Sequence, residues 1–348
     1  MNCFYPYLLC LSFLLGACVG GEEHSGDDID PTSSGEKIVV SFSSTIDLAT
    51  KAGTAEGGAV TDQALADGVQ VIVYAYKQEA VGKPAAAPVV SRTYQATNGN
   101  GSLTESGDKG LMYLSAGKYS FYALSVNVNS EPPKLADGSY LSTGELANNT
   151  DYIYCATNTA ITSLPGETQS VSLSFSRLTM RIELKVACES SGTGKVTAAE
   201  TPVIKLAATN PSGSKIELGA NPAIAPGVPV TGESNYSAMH VEGNLSAGFT
   251  ADYILLPIQK KQEIPVTITF PSITIEGLPA QKNKLYTLTV TPPDDEFVSG
   301  NQYSYKVNIT GNEAVFKEVT VTDWTGKDGS MPDSDITEDF EDVKQEQP

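Results

Sequence analysis

Residues 180–186 read Met180-Arg-Ile-Glu-Leu-Lys-Val186, with apolar and charged side chains in strict alternation. Successive side chains of a β-strand point to opposite faces of the sheet, so this pattern predicts a strand with one buried face. The same period of two recurs in residues 38–46, 69–76 and 117–128. No window of ten or more residues repeats apolar side chains at the spacing of an amphipathic helix. The sequence therefore predicts an all-β chain.

The strand pattern divides the chain into two similar halves. Strand-like runs continue on both sides of Leu178, and each half has the length that a sandwich of about seven strands requires. The segment between them, Leu173-Ser-Phe-Ser-Arg-Leu-Thr-Met180, leaves no room for a linker. We therefore expect an N-terminal β-sandwich domain over residues 36–178 and a C-terminal one over residues 179–325, with a tight junction.

The N-terminus has the features of an exported lipoprotein. An apolar run over residues 8–16 is too short to span a bilayer, and the small residues Gly16 and Ala17 come directly before Cys18. This arrangement resembles the bacterial lipobox, in which the cysteine is acylated before cleavage. We expect a signal peptide over residues 1–17, lipidation at Cys18 and a flexible acidic tether over residues 18–35. An ordinary secretory peptide with a chance cysteine is the alternative.

The composition argues against catalytic and nucleic-acid chemistry. The chain has 41 acidic and 22 basic residues, and its net charge of −19 disfavours binding to nucleic acid or to anionic lipid. It has two histidines, and because His24 lies in the tether, only His240 remains as a general base. One histidine with Cys155 and Cys188 falls short of a usual zinc ligand set. We therefore expect no enzyme activity, no metal and no cofactor.

Two small clusters each permit two interpretations. Asp294-Asp295-Glu296 is either a solvated acidic turn or a calcium site, although the spacing of an EF-hand is absent. Cys155 and Cys188 lie in separate apolar runs. They are either a disulfide, which an oxidising compartment would permit, or two small buried apolar residues.

Tyrosine is the commonest aromatic residue of the chain, which has 16 tyrosines and a single tryptophan. Several tyrosines alternate within strand-like runs, among them Tyr74, Tyr76, Tyr119 and Tyr122. Packing in the core or across strands is one explanation. A surface that binds glycans by stacking is the other.

Three segments resemble recurrent sequences of the fimbrillin-like proteins of Bacteroidia. They are Tyr113-Leu-Ser-Ala-Gly-Lys-Tyr-Ser-Phe-Tyr-Ala-Leu124, Ser174-Phe-Ser-Arg-Leu-Thr-Met-Arg-Ile-Glu-Leu184, and Phe297-Val-Ser-Gly-Asn-Gln-Tyr-Ser-Tyr-Lys-Val-Asn-Ile309 followed by Glu318-Val-Thr-Val-Thr-Asp-Trp324. The resemblance implies two tandem transthyretin-like β-sandwich domains of Greek-key topology. It also implies a structural or adhesive subunit of surface pili (fimbriae), located at the outer membrane and cell surface. Other pilus subunits would be its partners, together with a ligand on a host or bacterial surface.

Members of that family lose an N-terminal segment with its first strand to a trypsin-like protease, and a strand from another subunit fills the groove. The resemblance carries this role to the alternating apolar residues of the first strand here, Ile38, Val40, Phe42 and Ile46. Lys51, in Thr50-Lys51-Ala52-Gly53, is the corresponding processing site, although the commoner family pattern has arginine there. The strand could be exchanged because alternate side chains fill the pockets of an open groove.

The C-terminal end of the resemblance supplies a possible donor strand. Val315, Val319 and Val321 alternate along it, and it ends at Trp324. The acidic residues 326–348 then follow, which we expect to be a disordered tail or a weak amphipathic helix, and which could obstruct donor exchange. The alternative function is a non-polymerising surface lipoprotein that anchors a pilus or binds glycans.

Overall fold

The computed structural model describes residues 37–46, 63–106, 110–192, 194–222, 224–311 and 313–324, and the backbone of residues 337 and 338. In this part of the chain every extended element is a β-strand, and the helical elements are two short 3₁₀ turns, Glu233–Asn235 and Pro293–Asp295. The predicted all-β fold class is therefore confirmed. None of the helices in the described ranges has the length and apolar character needed to cross a membrane.

The described residues before Leu178 form nine strands. They are β1 (Ile38–Ile46), β2 (Gln63–Ala64), β3 (Gln70–Lys77), β4 (Val90–Thr97), β5 (Ser102–Glu105), β6 (Met112–Leu114), β7 (Gly117–Ser125), β8 (Ile153–Ile161) and β9 (Thr168–Arg177). The strands after Leu178 are β10 (Met180–Cys188), β11 (Val196–Ala199), β12 (Val203–Leu206), β13 (Ser237–Ala238), β14 (His240–Asn244), β15 (Gly248–Leu255), β16 (Ile264–Ile275), β17 (Gln281–Val290), β18 (Asn301–Thr310), β19 (Glu313–Asp323) and β20 (Thr337–Glu338).

The first nine strands form one sheet that closes on itself. Its order is β2-β1-β5-β4-β3-β7-β8-β9, and β6 also pairs with β1. β1 also pairs in parallel with β9, the strand at the far end of this order, and this pairing closes the sheet. An open sheet would leave unpaired backbone groups along its edges, and closure removes them. β1 is the strand that completes the closure.

Two sheets form the second half of the chain. The first has the order β14-β15-β10-β18-β19-β20, and the second has the order β11-β16-β12-β13 with β17 beside β16. The alternating stretch at residues 180–186 is β10, which lies between β15 and β18. Its apolar face is fully buried. The side chains of this face are 0–1% exposed, and they are Met180, Ile182, Leu184 and Val186. A strand in the middle of a sheet with one face on the core gives this alternation.

The buried apolar side chains of the described residues form three clusters. One lies within residues 38–175, and a second lies within residues 180–319. The third contains residues from both halves, including Tyr154 and Leu178 from the first half and Ile216 and Leu256 from the second. The described residues from Lys37 onward belong to one compact unit, so the division into two domains at residue 178 stays a prediction.

The four tyrosines that permitted a glycan-binding interpretation are core residues. Tyr74, Tyr76, Tyr119 and Tyr122 are all 0–4% exposed. The ring of Tyr122 packs edge-on against that of Tyr76, with centroids 5.4 Å apart. Core packing is therefore the correct explanation for these four, and they present no face to a sugar.

Cys155 and Cys188 are both free and belong to different halves of the chain. Cys155 is buried in the first core, whereas Cys188 packs against the second. Burial raises the pKa of the Cys155 thiol to about 12 and that of the Cys188 thiol to about 11. Both behave as small apolar residues rather than as a disulfide.

The acidic cluster at 294–296 forms a turn. Asp294 and Asp295 both have positive φ, at 56° and 60°. The Glu296 carboxylate pairs with the ammonium of Lys260 at 2.5 Å. Among the residues described, no group of three or more His, Cys, Asp or Glu side chains could hold a metal ion.

The predicted tail contains one paired segment. Glu338 is paired with Val319 and Thr337 with Thr320, so β20 is antiparallel to β19. This differs from the disorder that we expect for residues 326–348. The rest of that tail lies outside the described residues.

Candidate strand-exchange site

β1 is hydrogen-bonded along both of its edges. On one edge it runs parallel to β9, from Val39 opposite Thr168 to Ile46 opposite Phe175. On the other edge it pairs in turn with β6, β5 and β2. Removing β1 would therefore leave unpaired backbone groups on four other strands at once, and such groups are costly when water cannot replace the partner.

The inward face of β1 is part of the first core. Its apolar side chains are 0–6% exposed, and they are Ile38, Val40, Phe42 and Ile46. Phe42 lies among aromatic rings, with its centroid 5.1 Å from that of Tyr94 and 5.6 Å from that of Phe121. Edge-on rings at these distances attract each other beyond the burial of their area. The first strand is thus a plug whose side chains fill the core of its half.

A polar contact fixes the second half of this plug. Ser44 takes the remaining inward position of β1, and its backbone N–H and its hydroxyl each donate a hydrogen bond of 2.8 Å to the carbonyl of Gly101. Gly101 has a φ of +74°, and a Cβ atom there would lie 2.0 Å from the Ser44 carbonyl oxygen. Only glycine fits this position, because it lacks that atom and tolerates positive φ.

β19 is bound more loosely. It is antiparallel to β18 along its whole length, whereas its other edge pairs, among the residues described, only with β20 at Val319 and Thr320. Val319 is its one buried residue, at 7% exposure. Several other side chains of β19 pack partly buried against the second core, namely Ala314, Phe316 and Val321.

A bulge changes the inward face of β19. The register moves from Lys306 opposite Glu318 to Val307 opposite Phe316, which leaves Lys317 as the extra residue. A bulge reverses the alternation on one side of it. The inward residues are consequently Phe316, Val319 and Val321, and Val315 lies opposite Asn308 on the other face. The expectation that Val315 shares a face with Val319 and Val321 is wrong for this reason.

The end of β19 is held against the first half of the chain by Arg177. The guanidinium carbon of Arg177 lies 4.7 Å from the ring centroid of Trp324, and its Nη1 donates to the Trp324 carbonyl. Its Nε donates to Oδ2 of Asp151 at 3.0 Å. Asn127 donates to the same oxygen at 2.7 Å. Trp324, at 5% exposure, thereby terminates β19 at a buried ion pair.

The Asp151–Arg177 pair is nearly dry, since the two side chains are 9% and 3% exposed. Burial raises the pKa of Asp151, and the Arg177 guanidinium opposes that rise. Removal of one partner from such a pair leaves a charge that neither water nor protein compensates. The pair therefore holds Trp324, at the end of β19, against the first half of the chain.

The remaining predicted site residues, Cys18 and Lys51, lie outside the described residues. The structure does place the two ends of the segment that contains Lys51. Ile46 is opposite Gln63 in the β1–β2 pairing, so residues 47–62 begin and end at neighbouring backbone positions. A cut within this segment would separate β1 from the rest of the chain without breaking any described strand.

Sequence reasoning missed Arg177, Asp151 and Gly101. Arg177 did leave a signal, because Leu173, Phe175 and Arg177 occupy alternate positions of β9 and all three are buried. A charged residue at a position where alternation calls for a buried side chain indicates a buried partner. Asp151 and Gly101 leave no such signal, since both lie in connections.

Comparison with known proteins identifies the family. The model of the fimbrillin-like family matches residues 58–324, which begins after β1 and ends at Trp324. No curated protein matches the sequence.

Solved structures share the fold. A "putative cell adhesion protein" from Bacteroides ovatus superposes with a TM-score of 0.52 at 15% identity, covering 83% of this chain and 99% of its own. A protein described in the same words from Bacteroides uniformis gives a TM-score of 0.52 at 15% identity, covering 85% of this chain and 100% of its own. Neither these structures nor the matched family are described as enzymes. By the match over residues 58–324, this chain belongs to the fimbrillin-like family.

Proposed function

We propose that this protein is a structural or adhesive subunit of surface pili, exported as a lipoprotein and assembled by protease-assisted strand exchange. Family membership supports a surface adhesive or pilus-like role. The observation that carries the finer proposal is β1 itself, a strand that closes a sheet from both edges while its face fills the core. An empty β1 position would be a groove with two free edges, which another strand could complete.

In this proposal Cys18 carries the lipid during export, and a protease then cuts at Lys51. Each buried apolar side chain of β1 contributes about 1.5–3 kcal/mol. Four such side chains would hold the plug in place after the cut, so release of β1 becomes a slow step that a competing strand accelerates. The acylated Cys18 leaves with β1, because both are on the same side of Lys51.

β19 is the donor in this proposal. Its outer edge is paired only at Val319 and Thr320 among the described residues, and most of its apolar side chains are partly exposed. It therefore costs less to detach than β1. Its inward face presents Phe316, Val319 and Val321, which can replace part of the apolar face that β1 removes from the next subunit.

The test is the N-terminus of the assembled form. Surface pili purified from cells should contain this chain beginning at Ala52, and a Lys51→Ala variant should remain acylated and monomeric. Lys77→Ala is the matched control, because Lys77 is an exposed lysine elsewhere on the same half. Recovery of full-length acylated monomer alone from unmodified cells would contradict the proposal.

A second candidate function is a non-polymerising surface lipoprotein that anchors a pilus or binds glycans. The pairing of β20 with β19 favours it, because a covered edge is less available for exchange. Such a protein would keep Cys18 and β1 on the cell. If it binds glycans, arrays should show saturable binding that is lost on replacing an exposed tyrosine, of which Tyr113 and Tyr140 are 37% and 41% exposed.

A further inference from the structure

A cavity of about 420 Å³ opens on the sheet formed by β11, β12, β13, β16 and β17. Sites for small molecules have volumes of about 300–1,000 Å³, so this cavity has a suitable size. Its lining includes an aromatic ring, a proline, a carboxylate and three threonines, namely Tyr236, Pro265, Glu233, Thr267, Thr287 and Thr289. The cavity therefore combines an apolar surface with several hydroxyl groups.

Strand register places these side chains on the face of the sheet that points away from the second core. One row crosses from β13 to β12, β16 and β17, and it consists of Ala238, Lys205, Thr267 and Thr287. Thr289 is two positions beyond Thr287 on β17, so it shares this face. Tyr236 is two positions before Ala238 and has extended backbone angles, with φ −69° and ψ 138°. Alternation therefore directs its ring to the same face.

A short turn holds Glu233 and Tyr236 at the cavity. The 3₁₀ turn Glu233–Asn235 closes with a hydrogen bond of 3.2 Å from the N–H of Tyr236 to the carbonyl of Glu233. The side-chain amide of Asn235 donates to the Thr231 carbonyl at 2.8 Å. Directly after Tyr236 the chain enters β13, which is paired with β12. The backbone thus positions both side chains in advance, and a preformed site loses little affinity to the ordering of its own groups.

The side-chain oxygens that line this cavity have no partners within the described part of the chain. The carboxylate of Glu233 forms neither an ion pair nor a hydrogen bond there, and the hydroxyls of Tyr236 and of the three threonines form no hydrogen bond. Thr267 is nevertheless only 7% exposed. A hydroxyl buried to this extent usually has a partner, and the lack of one is costly. A ligand that offers both donors and acceptors supplies the missing partners.

We propose that this cavity binds one sugar residue of a neutral glycan. A sugar ring has hydroxyl groups around its edge and C–H groups on its faces. One C–H face rests on the ring of Tyr236 beside Pro265, as an apolar surface does on an aromatic ring. The sugar hydroxyls donate to the carboxylate of Glu233 and exchange hydrogen bonds with the threonine hydroxyls. The described residues of the lining carry one carboxylate and no cation, so an anionic ligand is disfavoured.

The sugar site lies in the second half of the chain and does not depend on strand exchange. It deepens the adhesive side of the proposed function, on which its biological role rests, and it is present in a monomer as well as in a pilus. A site for one sugar ring binds with a dissociation constant of about 1–10 mM. Many copies on one surface raise the overall affinity by about 10²–10⁴ when the ligand is multivalent.

The test is saturation-transfer NMR on the uncut full chain. The probes are the methyl glycosides of glucose, galactose, mannose, fucose and N-acetylglucosamine, with N-acetylneuraminic acid as the anionic comparison. At least one neutral glycoside should give saturable transfer, strongest at the C–H protons of one ring face. Tyr236→Ala should weaken its binding about tenfold. Glu233→Gln and Thr267→Val each keep the shape of the side chain, and each should weaken binding about fivefold through a lost hydrogen bond.

Two matched controls lie outside the cavity. Tyr140→Ala removes a tyrosine that is 41% exposed, and Glu200→Gln removes an exposed carboxylate of the same half. Both variants should bind as the parent does. Urea unfolding of every variant shows whether a loss of binding comes with a loss of fold, and Glu233→Gln, an exposed position, should leave the fold unchanged.

Three results would overturn the sugar site. They are the absence of saturable transfer from all five neutral glycosides up to about 100 mM, unchanged affinity in the folded Glu233→Gln and Thr267→Val variants, and tighter binding of N-acetylneuraminic acid than of any neutral probe. Each of them leaves the pilus proposal intact, because that proposal is tested by the N-terminus of the assembled form. Conversely, recovery of full-length monomer alone would leave sugar binding unaffected.

Discussion

β1 and β19 lie at opposite ends of the folded chain, and both are strands with alternating apolar residues. β1 is bonded on two edges and buries four apolar side chains at 0–6% exposure. β19 is bonded on one edge along its length, and Val319 is its only buried residue. Similar patterns of sequence thus produce a plug in one case and an edge strand in the other. The difference is set by how many neighbours the fold gives each strand.

This asymmetry has a direct consequence for exchange between subunits. A strand with two bonded edges does not leave unless it is first cut from the chain, because its loss opens a sheet and a core together. A strand that is paired along one edge only can detach while its half of the chain stays folded. We therefore assign release to β1 and donation to β19.

The largest expected effect is the loss of Phe42. Phe42→Ala should lower the free energy of unfolding by about 3–5 kcal/mol, because the cavity opens between the rings of Tyr94 and Phe121. The matched change in β19, Phe316→Ala, should cost about 1–2 kcal/mol, since Phe316 is only partly buried. Urea denaturation measures both. Equal losses at the two sites would remove the distinction between plug and edge strand.

Breaking the ion pair at the end of β19 should have the second-largest effect on stability. Arg177→Met leaves Asp151 buried without its cation, and we expect a loss of about 3 kcal/mol. The double variant Arg177→Met with Asp151→Leu should regain much of this stability, because no buried charge then remains. Hydrogen exchange should show faster opening at residues 321–324 in the single variant, with β10 as reference. A single variant as stable as the parent would show that the pair does not hold Trp324.

The contact between Ser44 and Gly101 predicts a smaller effect. Gly101→Ala places a Cβ atom against the Ser44 carbonyl and disfavours the positive φ, at a cost of about 1–2 kcal/mol. Gly99→Ala is the control, because Gly99 also has positive φ but has no atom within 4 Å of an added Cβ. Thermal unfolding compares the two. If both variants melt together, the close approach to β1 adds nothing beyond backbone strain.

The smallest effect concerns the thiols of Cys155 and Cys188, which report on different halves of the chain. Thiolate is the reactive form, so pKa values of about 12 for Cys155 and about 11 for Cys188 should keep both unreactive toward a maleimide at pH 8. Release of β1 opens the core that contains Cys155 and leaves the core beside Cys188 intact. Labelling of Cys155 should therefore rise after release, whereas that of Cys188 should not. Parallel labelling of the two would indicate general unfolding instead.

Much of this comparison could be predicted from the sequence. Strict alternation predicts the strands, and it identifies Ile38, Val40, Phe42 and Ile46 as one face, all of which the structure buries. Alternation gives the wrong face for Val315, because the bulge at Lys317 inserts one residue. No local sequence pattern predicts that insertion. Alternation also reports a buried face without reporting how many neighbours pair with a strand. That number depends on contacts between distant segments, such as β1 with β9.

The contacts at Trp324 also could not be predicted from the local sequence. The segment up to Trp324 could be recognised as a strand end, but its partner Arg177 lies in the other half of the chain, and Asp151 lies in a connection before β8. Only the folded chain brings these three together.

Competition between the two strands shows whether β1 is the released strand and β19 the donor. A specific protease site is placed at Lys51, the protein is cut, and a peptide of residues 313–324 is added, with a Val319→Asp peptide as control. The fragment that contains β1 should be released only after cutting. The peptide should accelerate this release and take the place of β1, and the control peptide should do neither. A fragment that stays bound to the cut protein at every peptide concentration would show that β19 does not replace β1.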